Sequence, residues 1–469
     1  MPIPDWVPDA IFYQIFPDRF ANGDPLNDPP NVQAWGTPPT VSGFQGGDLR
    51  GVIQRLDYLL DLGISAIYLN PIFLASSNHR YNTTDYFRVD PRLGKMEDLV
   101  QLLELAHRNG MRVILDGVFN HCGRGFFAFN DLLENEGHSP YLDWFHVRKV
   151  PVEAYGPGEA QDYLGWWRLK SLPKFNTANP GVRAYLLDVA RYWIDQGIDG
   201  WRLDVPNEIN DDSFWAELRQ VVKQANPEAY LFGEIWTLDP RWVGERHFDG
   251  VMSYPLRELI LTALGTKPPA AAEFAAGVEQ IYASYPPDFH FGLYLTLGSH
   301  DTERIRTLAK TSAAVRLAFS LLFSMPGAPS IYYGDEIGLE GAKDPDSRRA
   351  FPWEPSVWDR SLRDHLQRLI RLRREHPALR RGEMGFLTVE AAPGLLGIVR
   401  RLEGETVVVV ANLTGHELRA ALPLGSLGWG EGMSLRDGLS GGAFSVRKGA
   451  IDLRLPGKGS AILVRGGPG

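Results

Sequence analysis

The feature that most constrains the fold is a regular alternation of short apolar strands with amphipathic helices between residues 10 and 375 of this 469-residue chain. Strands are predicted at residues 10–16, 64–69, 112–115, 199–204, 229–233, 250–253, 292–297 and 330–333. Helices with apolar residues at three- and four-residue spacing are predicted at 48–62, 96–108, 181–196, 213–225, 256–285, 313–323 and 361–375. Strands that alternate with helices in this way predict an α/β fold, the closed parallel (β/α)8 TIM barrel. A doubly wound sheet is the competing layout, but no Gly-rich phosphate fingerprint follows any strand.

Two stretches depart from the alternation. Periodicity fails over residues 122–176, which are loop-rich and aromatic, so we expect an inserted subdomain after the third strand. Beyond residue 382, short strands between Gly-rich turns are typical of an all-β sandwich. The expected domains are the barrel domain A (1–120 and 177–382), the inserted subdomain B (121–176) and the C-terminal β-sandwich domain C (383–469).

Composition excludes several kinds of partner. The net charge of −9 argues against nucleic acid and against an anionic membrane surface. The single cysteine, Cys122, excludes an internal disulfide framework and suits a reducing compartment. The first residues, M-P-I-P-D-W-V-P-D, lack the basic and apolar regions of a secretory signal, and no window is long and apolar enough for a membrane span. We therefore expect a cytoplasmic protein.

The stretch D-G-W-R-L-D-V-P-N-E (199–208) places two charged residues on one side of a short strand. Arg202 and Asp204 alternate with Trp201 and Leu203, so their side chains point the same way. A buried charged pair is unfavourable unless the groups are paired or functional. Arg202 either keeps Asp204 ionised for use as a nucleophile or forms a structural ion pair with it, and this stretch alone leaves the two readings even.

Other polar residues gather at the ends of predicted strands. Chemistry in such a barrel lies at the carboxyl ends of the strands, where the sequence places Asp116, Asn120, His121, Arg202, Asp204, Glu234, His300 and Asp301. No Cys or multi-His cluster indicates a transition metal. Two opposed carboxyl groups, one acting as acid and one kept ionised as nucleophile, are the equipment of a retaining glycosidase, in which they lie about 5 Å apart.

Four motifs, in order, resemble the signatures of the α-amylase family, glycoside hydrolase family 13. They are D-G-V-F-N-H (116–121), G-W-R-L-D (200–204), G-E-I-W (233–236) and G-S-H-D (298–301). Within that family L-P-K-F-N (172–176) and V-P-N-E (205–208) are similar to M-P-K-L-N and V-A-N-E of the neopullulanase, cyclomaltodextrinase and maltogenic-amylase branch. Leu172, Phe175 and Pro206 depart from those forms.

The resemblance implies a role for each acid. Asp204 is expected to be the nucleophile that forms a glycosyl-enzyme intermediate, and Glu234 the general acid that later activates water. Asp301 is expected to bind sugar hydroxyls and to stabilise the oxocarbenium-like transition state. The implied substrate-binding residues are Arg202, which keeps Asp204 charged, His121 and His300, which bind the same sugar, Tyr81, which stacks on it, Asp85 behind Tyr81, and Trp236 on the leaving-group side.

Each of these residues also has a structural interpretation. His121 and His300, taken singly, are more simply explained as buried, hydrogen-bonded imidazoles, and Tyr81 as a core aromatic. Asp116 resembles a family residue that supports Arg202 rather than reacting. The convergence of all of them at strand ends favours catalysis.

The loop N-G-D-P-L-N-D (22–28) is a candidate cation site. It brings together side-chain oxygens of Asn22, Asp24, Asn27 and Asp28, the kind of ligand that Ca2+ prefers. Composition alone favours a turn rich in Asx residues. Some members of the resembled branch carry calcium on a matching loop completed by G-G-D, which here means the Gly46 carbonyl and Asp48. The resemblance therefore implies a structural Ca2+, and no organic cofactor is expected.

The leading functional hypothesis is retaining hydrolysis of α-1,4-linked glucose units in maltooligosaccharides or cyclic maltooligosaccharides, with α-1,6 cleavage or transglycosylation as side activities. An exo-acting α-glucosidase or a glucanotransferase of the same family is the alternative, and a non-catalytic carbohydrate-binding homologue is a remote one. The first strand begins near residue 10, which leaves no room for the N-terminal β-domain usual in the branch. We therefore expect a monomer or a homodimer.

Overall fold

The barrel is the central unit of the protein, whose computed structural model describes residues 3–466. The strands before residue 383 are β1 (Phe12–Ile15), β2 (Ala66–Leu69), β3 (Phe73–Ala75), β4 (Thr83–Val89), β5 (Arg112–Gly117), β6 (Gly200–Leu203), β7 (Tyr230–Gly233), β8 (Gly250–Val251), β9 (Tyr294–Leu295) and β10 (Ala328–Tyr332). Eight of them form one sheet in the order β8-β7-β6-β5-β2-β1-β10-β9, and every neighbouring pair is parallel. A parallel bridge between Met252 and Tyr294 joins the two edges. The predicted TIM barrel is confirmed.

The α-helices lie on the outside of this sheet, apart from the one in the inserted segment at residues 121–176. They are α1 (Pro17–Phe20), α2 (Leu49–Gln54), α3 (Leu56–Leu62), α4 (Met96–Arg108), α5 (Phe127–Asn135), α6 (Pro180–Asp195), α7 (Asp212–Ala225), α8 (Tyr254–Leu264), α9 (Ala271–Ala283), α10 (Ile305–Ala309), α11 (Ser312–Ser324), α12 (Arg360–Glu375) and α13 (Pro377–Arg381). The barrel strands are buried on both faces, as expected for parallel strands beneath helices. Asn179 and Asp211 cap the amino ends of α6 and α7, which fixes where each helix starts after the loop before it.

Two predicted helices are each divided in the structure. The helix predicted at 48–62 is interrupted at Arg55, whose guanidinium lies 4.0 Å above the Trp353 ring. The helical region predicted at 256–285 is two helices, because Pro268 and Pro269 cannot continue the hydrogen-bond pattern of a helix. The β3–β4 hairpin was not predicted. Tyr86 on β4 is buried and donates from its hydroxyl to the backbone carbonyls of Val118 and His121.

The inserted segment lies between β5 and β6. Its single α-helix is α5, and antiparallel bridges join His121 to Lys174 and Phe145 to Phe175. Buried aromatic side chains, among them Phe129, fill its interior. The segment therefore has local order that hydrophobic periodicity did not reveal, because its contacts are between aromatic rings and loops.

The C-terminal region is antiparallel. Its strands are β11 (Glu383–Thr388), β12 (Leu395–Leu402), β13 (Glu405–Asn412), β14 (Leu418–Pro423), β15 (Ser434–Asp437), β16 (Ala443–Ser445), β17 (Ala450–Leu455) and β18 (Ser460–Arg465). They form a six-stranded sheet, β11-β12-β13-β18-β15-β16, and a two-stranded sheet, β14-β17. A separate apolar core that includes Trp429 lies in this region, as expected for the predicted all-β domain. Within residues 3–466, every helix is too short or too polar to cross a membrane.

Candidate active site

Arg202 lies at the centre of the acidic cluster. It is fully buried on β6, and its Nη1 atom lies 2.8 Å from Oδ1 of Asp116 and 2.9 Å from Oδ1 of Asp204. Its Nη2 atom lies 3.0 Å from Oε2 of Glu234. These carboxyl groups come from the ends of β5, β6 and β7, so neighbouring parallel strands bring them to one guanidinium. One positive charge therefore orients three acids.

Asp204 keeps one oxygen free. Its Oδ2 atom is buried and has no hydrogen-bond partner, while Oδ1 is held by Arg202. Burial raises the pKa of the Asp204 carboxyl, and Arg202 opposes this shift. Val205, directly after it, has φ 36°, a left-handed conformation that is rare for a β-branched residue. Such strain is concentrated at functional sites, and here it turns the Val205 N–H toward Oε2 of Glu234, 3.1 Å away.

Glu234 lies beside an aromatic platform. The Trp236 indole donates from Nε1 to Oε1 of Glu234 at 3.1 Å, and the ring stacks on Tyr254 with centroids 3.8 Å apart. Trp236 is 46% exposed, so one face of the indole is open to solvent. A fixed, exposed indole face next to a carboxyl group is suited to holding a sugar ring in position for proton transfer.

Asp301 joins the cluster through His300. Oδ2 of Asp301 lies 3.1 Å from Nε2 of His300, and Oδ1 lies 3.4 Å from Nη2 of Arg348. The Tyr81 ring is parallel to the His300 ring, with centroids 5.3 Å apart and planes 6° apart. Burial, helped by the charge of Glu234 and opposed by Arg348, raises the pKa of Asp301 to about 7. The carboxyl side chain is nevertheless 31% exposed, which leaves it accessible from the mouth of the barrel.

His121 begins a stack of rings that sequence reasoning did not assign. Its ring is parallel to that of Trp166, with centroids 5.1 Å apart, and Trp166 stacks in turn on Trp167 at 4.5 Å. Burial lowers the pKa of His121 to about 3, so the imidazole is neutral, and its Nε2 atom is buried without a partner. A buried polar atom of this kind is suited to accepting or donating a hydrogen bond to a ligand.

Asp85, a predicted binding residue, takes no part in the hydrogen bonds of the cluster. It is on β4, and its carboxylate accepts from the backbone N–H of Phe87, two residues along the same strand. The hydrogen bonds and ion pairs among residues 3–466 do not connect it with the acids or with Tyr81. Four other residues contact the cluster and were missed: Gln14, Tyr68, Asn70 and Arg348. Sequence reasoning had no signal for them, since a lone amide, Tyr or Arg is common anywhere.

The candidate cation loop is built around shared hydrogen bonds. Nδ2 of Asn22 lies 3.0 Å from both oxygens of Asp28, and Nδ2 of Asn27 lies 3.0 Å from Oδ2 of Asp48. Asp48 also accepts from the backbone N–H of Gly51, at the start of α2, and from that of Asp24, whose side chain pairs with Arg50 at 2.7 Å. Across residues 3–466, three or more His, Cys, Asp or Glu side chains are nowhere arranged as metal ligands.

A (β/α)8 barrel whose strand ends hold opposed carboxyl groups beside an exposed indole has the side chains that glycoside hydrolysis requires. The chain belongs to the alpha-amylase family: the family model for the alpha amylase catalytic domain matches residues 14–381. The expected family and enzyme class are therefore confirmed.

Two relatives and one solved structure are similar over almost the whole chain. A cyclomaltodextrinase of Geobacillus thermopakistaniensis is 43% identical, over 97% of this chain and 76% of its own length. Neopullulanase 2 of Thermoactinomyces vulgaris is 41% identical, over 96% of this chain and 77% of its own. The ligand-bound structure of cyclic alpha-maltosyl-(1→6)-maltose hydrolase from Arthrobacter globiformis is 41% identical with a TM-score of 0.90, over 98% of this chain and 99% of that one. The resemblance to the neopullulanase and cyclomaltodextrinase branch is thereby confirmed.

Proposed function

We propose that this chain is a retaining hydrolase of α-1,4-glucosidic bonds in cyclic or short linear maltooligosaccharides. The observation that carries the proposal is the state of Asp204, which presents one buried, unpartnered oxygen while Arg202 holds the other. A displacement at a sugar carbon needs a carboxylate of this kind opposite a second carboxyl group that handles the proton. Glu234, which contacts the same guanidinium, supplies that group.

The first half of the reaction forms the covalent intermediate. Glu234 gives its proton to the glycosidic oxygen, whose bond to the anomeric carbon breaks, and Oδ2 of Asp204 forms the new bond to that carbon. Positive charge develops on the sugar between these events. Asp301 stabilises it, and His121 and His300 remain neutral, so they add no opposing positive charge.

The second half releases the product. Glu234, now ionised, takes a proton from water, the hydroxyl oxygen attacks the anomeric carbon, and the bond to Asp204 breaks. Two displacements return the α configuration. Trp236, stacked on Tyr254, supports the leaving chain and then the incoming water or sugar acceptor, so an acceptor sugar gives transglycosylation.

A second candidate substrate is a cyclic oligosaccharide with alternating α-1,4 and α-1,6 bonds. It is favoured by the similarity to the hydrolase of cyclic alpha-maltosyl-(1→6)-maltose, which is 41% identical with a TM-score of 0.90. The barrel site is the same for both candidates. The two candidates differ in which glycosidic bond of the substrate is placed next to Asp204 for cleavage.

The experiment compares initial rates and products on β-cyclodextrin, maltotriose, pullulan and cyclic maltosyl-maltose. The α-anomer is expected to appear first by NMR, and Asp204→Asn is expected to reduce kcat by about 10^4-fold. Asp188→Asn, on the exposed face of α6, is the matched control and keeps its rate. A first product of β configuration, or sugar release by Asp204→Asn at the rate of the wild type, would overturn the proposal.

We propose in addition that the 22–48 loop binds a structural Ca2+. The side-chain oxygens Oδ1 of Asn22 and Asn27 are buried without partners, while their amide nitrogens face carboxylates. If each amide is rotated by 180°, its oxygen takes the place of its nitrogen and faces the carboxylate oxygens of Asp28 or Asp48. A hard cation stabilises such a group of oxygen atoms. Gly46 supports this: a Cβ there would lie 2.2 Å from Oδ1 of Asp28 and 2.6 Å from Nδ2 of Asn22, so the backbone at Gly46 lies directly against the two side chains. Asn22, Asn27, Asp28, Asp48 and the Gly46 carbonyl would hold the ion, and Asp24 would join after leaving Arg50.

A cytoplasmic location is supported by one relative and by the cysteine content. An intracellular maltogenic amylase of Bacillus subtilis is 38% identical over 87% of this chain, and the single cysteine, Cys122, is buried and free. We expect a monomer or a homodimer in solution, which sedimentation equilibrium distinguishes.

A further inference from the structure

A buried chain of hydrogen bonds runs from Arg202 to the far side of His300. Its members are Asp116, Tyr68, Tyr81, Asn70 and Gln14, of which Gln14 lies on β1 and Asn70 directly follows β2. The side-chain amides of Gln14 and Asn70 take no direct part in the proposed catalytic steps. Because each group in the chain has limited donors and acceptors, their directions can be deduced in turn.

The chain starts at a group that can only accept. Oδ1 of Asp116 accepts from Arg202, and Oδ2 lies 2.6 Å from the Tyr68 hydroxyl and 2.7 Å from the Tyr81 hydroxyl. Each hydroxyl has one proton and gives it to this carboxylate. Both hydroxyl oxygens are therefore left as acceptors for any further partner.

Because both tyrosine hydroxyls act as acceptors, the orientations of the Asn70 and Gln14 amides are determined. The amide nitrogen of Asn70 lies 3.3 Å from the Tyr68 hydroxyl and 3.1 Å from the Tyr81 hydroxyl, and only the NH2 group can donate to them. One of its two N–H groups serves these two acceptors, which leaves the other for His300. The Asn70 oxygen then faces Gln14, whose Nε2 atom donates to it at 3.0 Å. Neither amide can be reversed without placing two acceptors or two donors against each other.

His300 is reached from both sides of its ring. Its Nδ1 atom lies 3.1 Å from the Gln14 nitrogen and 3.1 Å from the Asn70 nitrogen, both donors, so Nδ1 carries no proton. Its Nε2 atom lies 2.6 Å from the Tyr81 hydroxyl oxygen, which can only accept, so Nε2 carries the proton. Both assignments follow from donation of the tyrosine protons to Asp116, and they specify the same tautomer.

We propose that Gln14 and Asn70 are positioning residues that hold His300 as the neutral Nε2–H tautomer. The one N–H at Nε2 is then shared between two acceptors, the Tyr81 hydroxyl 2.6 Å away and the Asp301 carboxylate 3.1 Å away, on the side of the ring where the sugar binds. A protonated ring would put a second N–H against two amide donors and a positive charge beside an oxocarbenium-like sugar. The tautomer itself does not depend on the proposed function, but its catalytic consequence does.

The surroundings of the ring favour the same state. Burial lowers the pKa of His300 well below its ordinary value, and the charges of Arg348, Arg202 and His79 add to this. Among the described residues, Asp301 is the one carboxylate in contact with the His300 ring. The ring also packs against the apolar Phe16 ring, with centroids 6.3 Å apart.

The test exchanges the donor at Gln14 for an acceptor of equal shape. Gln14→Glu presents a carboxylate to Nδ1, so we expect a proton on Nδ1 and a kcat about 100-fold below that of the wild type, with a smaller change in KM. Gln14→Met removes the same hydrogen bonds without supplying an acceptor. Since Asn70 still donates to Nδ1, we expect its kcat to be about tenfold above that of Gln14→Glu. A merely structural role predicts the opposite order, because the isosteric variant disturbs packing less.

The tautomer is read directly by NMR of 15N-histidine-labelled protein without substrate, with His300→Gln used to assign the signal. We expect an unprotonated Nδ1 and a protonated Nε2 in the wild type and in Gln14→Met, and a protonated Nδ1 in Gln14→Glu. Circular dichroism and Tm establish that each variant is folded. A protonated Nδ1 in the wild type, or a Gln14→Met enzyme slower than Gln14→Glu, would overturn the proposal. Failure of the proposed function would instead show as absent sugar release with the tautomer intact.

Discussion

The indole rings of Trp166 and Trp167 stack with centroids 4.5 Å and planes 14° apart, and Trp166 stacks in turn on His121. Trp167 has a left-handed φ of 49° and is 75% exposed. An exposed indole held in an unfavourable backbone conformation indicates a binding role, since neither exposure nor strain stabilises the fold. The stack leads from the catalytic cluster toward the rim of the inserted segment.

Trp167→Ala is therefore expected to weaken sugar binding and leave stability almost unchanged. A lost stacking surface of this kind corresponds to a rise in KM of about tenfold for cyclodextrin, with Tm unaltered. Steady-state kinetics on cyclodextrin and maltotriose measure it. Tyr155→Ala removes another exposed aromatic of the same segment, 67% exposed, and is expected to keep the KM of the wild type. Equal effects of the two substitutions would contradict a specific platform.

Ionisation of Asp301 is expected to destabilise the folded protein as the pH rises. Its folded-state pKa of about 7 lies above the ordinary value of 3.8, so between these pH values the folded protein holds a proton that the unfolded chain has lost. Stability contributed by the protonated group is present below pH 4 and is lost as the pH rises through 7. Asp301→Asn stays neutral, so its Tm should exceed that of the wild type by about 2 °C at pH 8 and by less at pH 5.

Thermal scans across this pH range test the expectation, with Asp188→Asn as the control whose Tm difference does not vary with pH. A difference between Asp301→Asn and wild type that grows toward low pH would contradict the assigned sign. The same variant should be nearly inactive, because it loses the charge that faces the sugar.

Calcium is expected to raise the Tm. A ligand that binds only the folded state at about 100 times its Kd contributes about 2.7 kcal/mol, so chelation should lower Tm by about 3 °C. Asn22→Ala removes one of the buried amide oxygens and should abolish the calcium response. Asn130→Ala, on the exposed face of α5, should retain it. A Tm and a metal content that both stay unchanged after chelation would refute the site.

Arg400 is expected to be essential for stability although it pairs with no acidic side chain among residues 3–466. Its guanidinium is buried and donates to the backbone carbonyls of Ser324 at 2.7 Å, Leu379 at 2.9 Å and Gly382 at 2.8 Å. Burial lowers the pKa of Arg400 to about 10, and the carbonyl at the end of α11 offsets part of that unfavourable burial. These contacts join β12 to the barrel helices.

Arg400→Met removes a donor from each of three buried carbonyl oxygens, of which, among the described residues, only that of Leu379 keeps another, Arg373, and should destabilise the protein by about 3 kcal/mol. The shift in the midpoint of urea unfolding measures it. Arg401→Met, the next residue on β12 and exposed, is the matched control and should stay within about 0.5 kcal/mol of wild type. An equal shift for both would show that the carbonyl contacts contribute nothing specific.

The barrel could be predicted from local sequence patterns, and the features that were missed are confined to single segments. Strand and helix positions were close to those observed because apolar spacing and Asx caps are written in consecutive residues. The hairpin containing Tyr86 was missed because its strands pair only with each other and with loops. The aromatic order of the inserted segment, including Trp166, was missed because ring packing has no period.

The sequence by itself determined that acids at strand ends meet at one mouth, because parallel strands present their carboxyl ends on the same side. Only the tertiary structure decided which oxygen of Asp204 is free and that Arg202 contacts three carboxyl groups. It also decided that Asp85 is outside the hydrogen bonds of the cluster and that Gln14 and Asn70 face His300. The physical reason is that hydrogen-bond direction and burial depend on residues far apart in the chain: Gln14 and His300 are separated by 286 positions and meet only when the barrel closes.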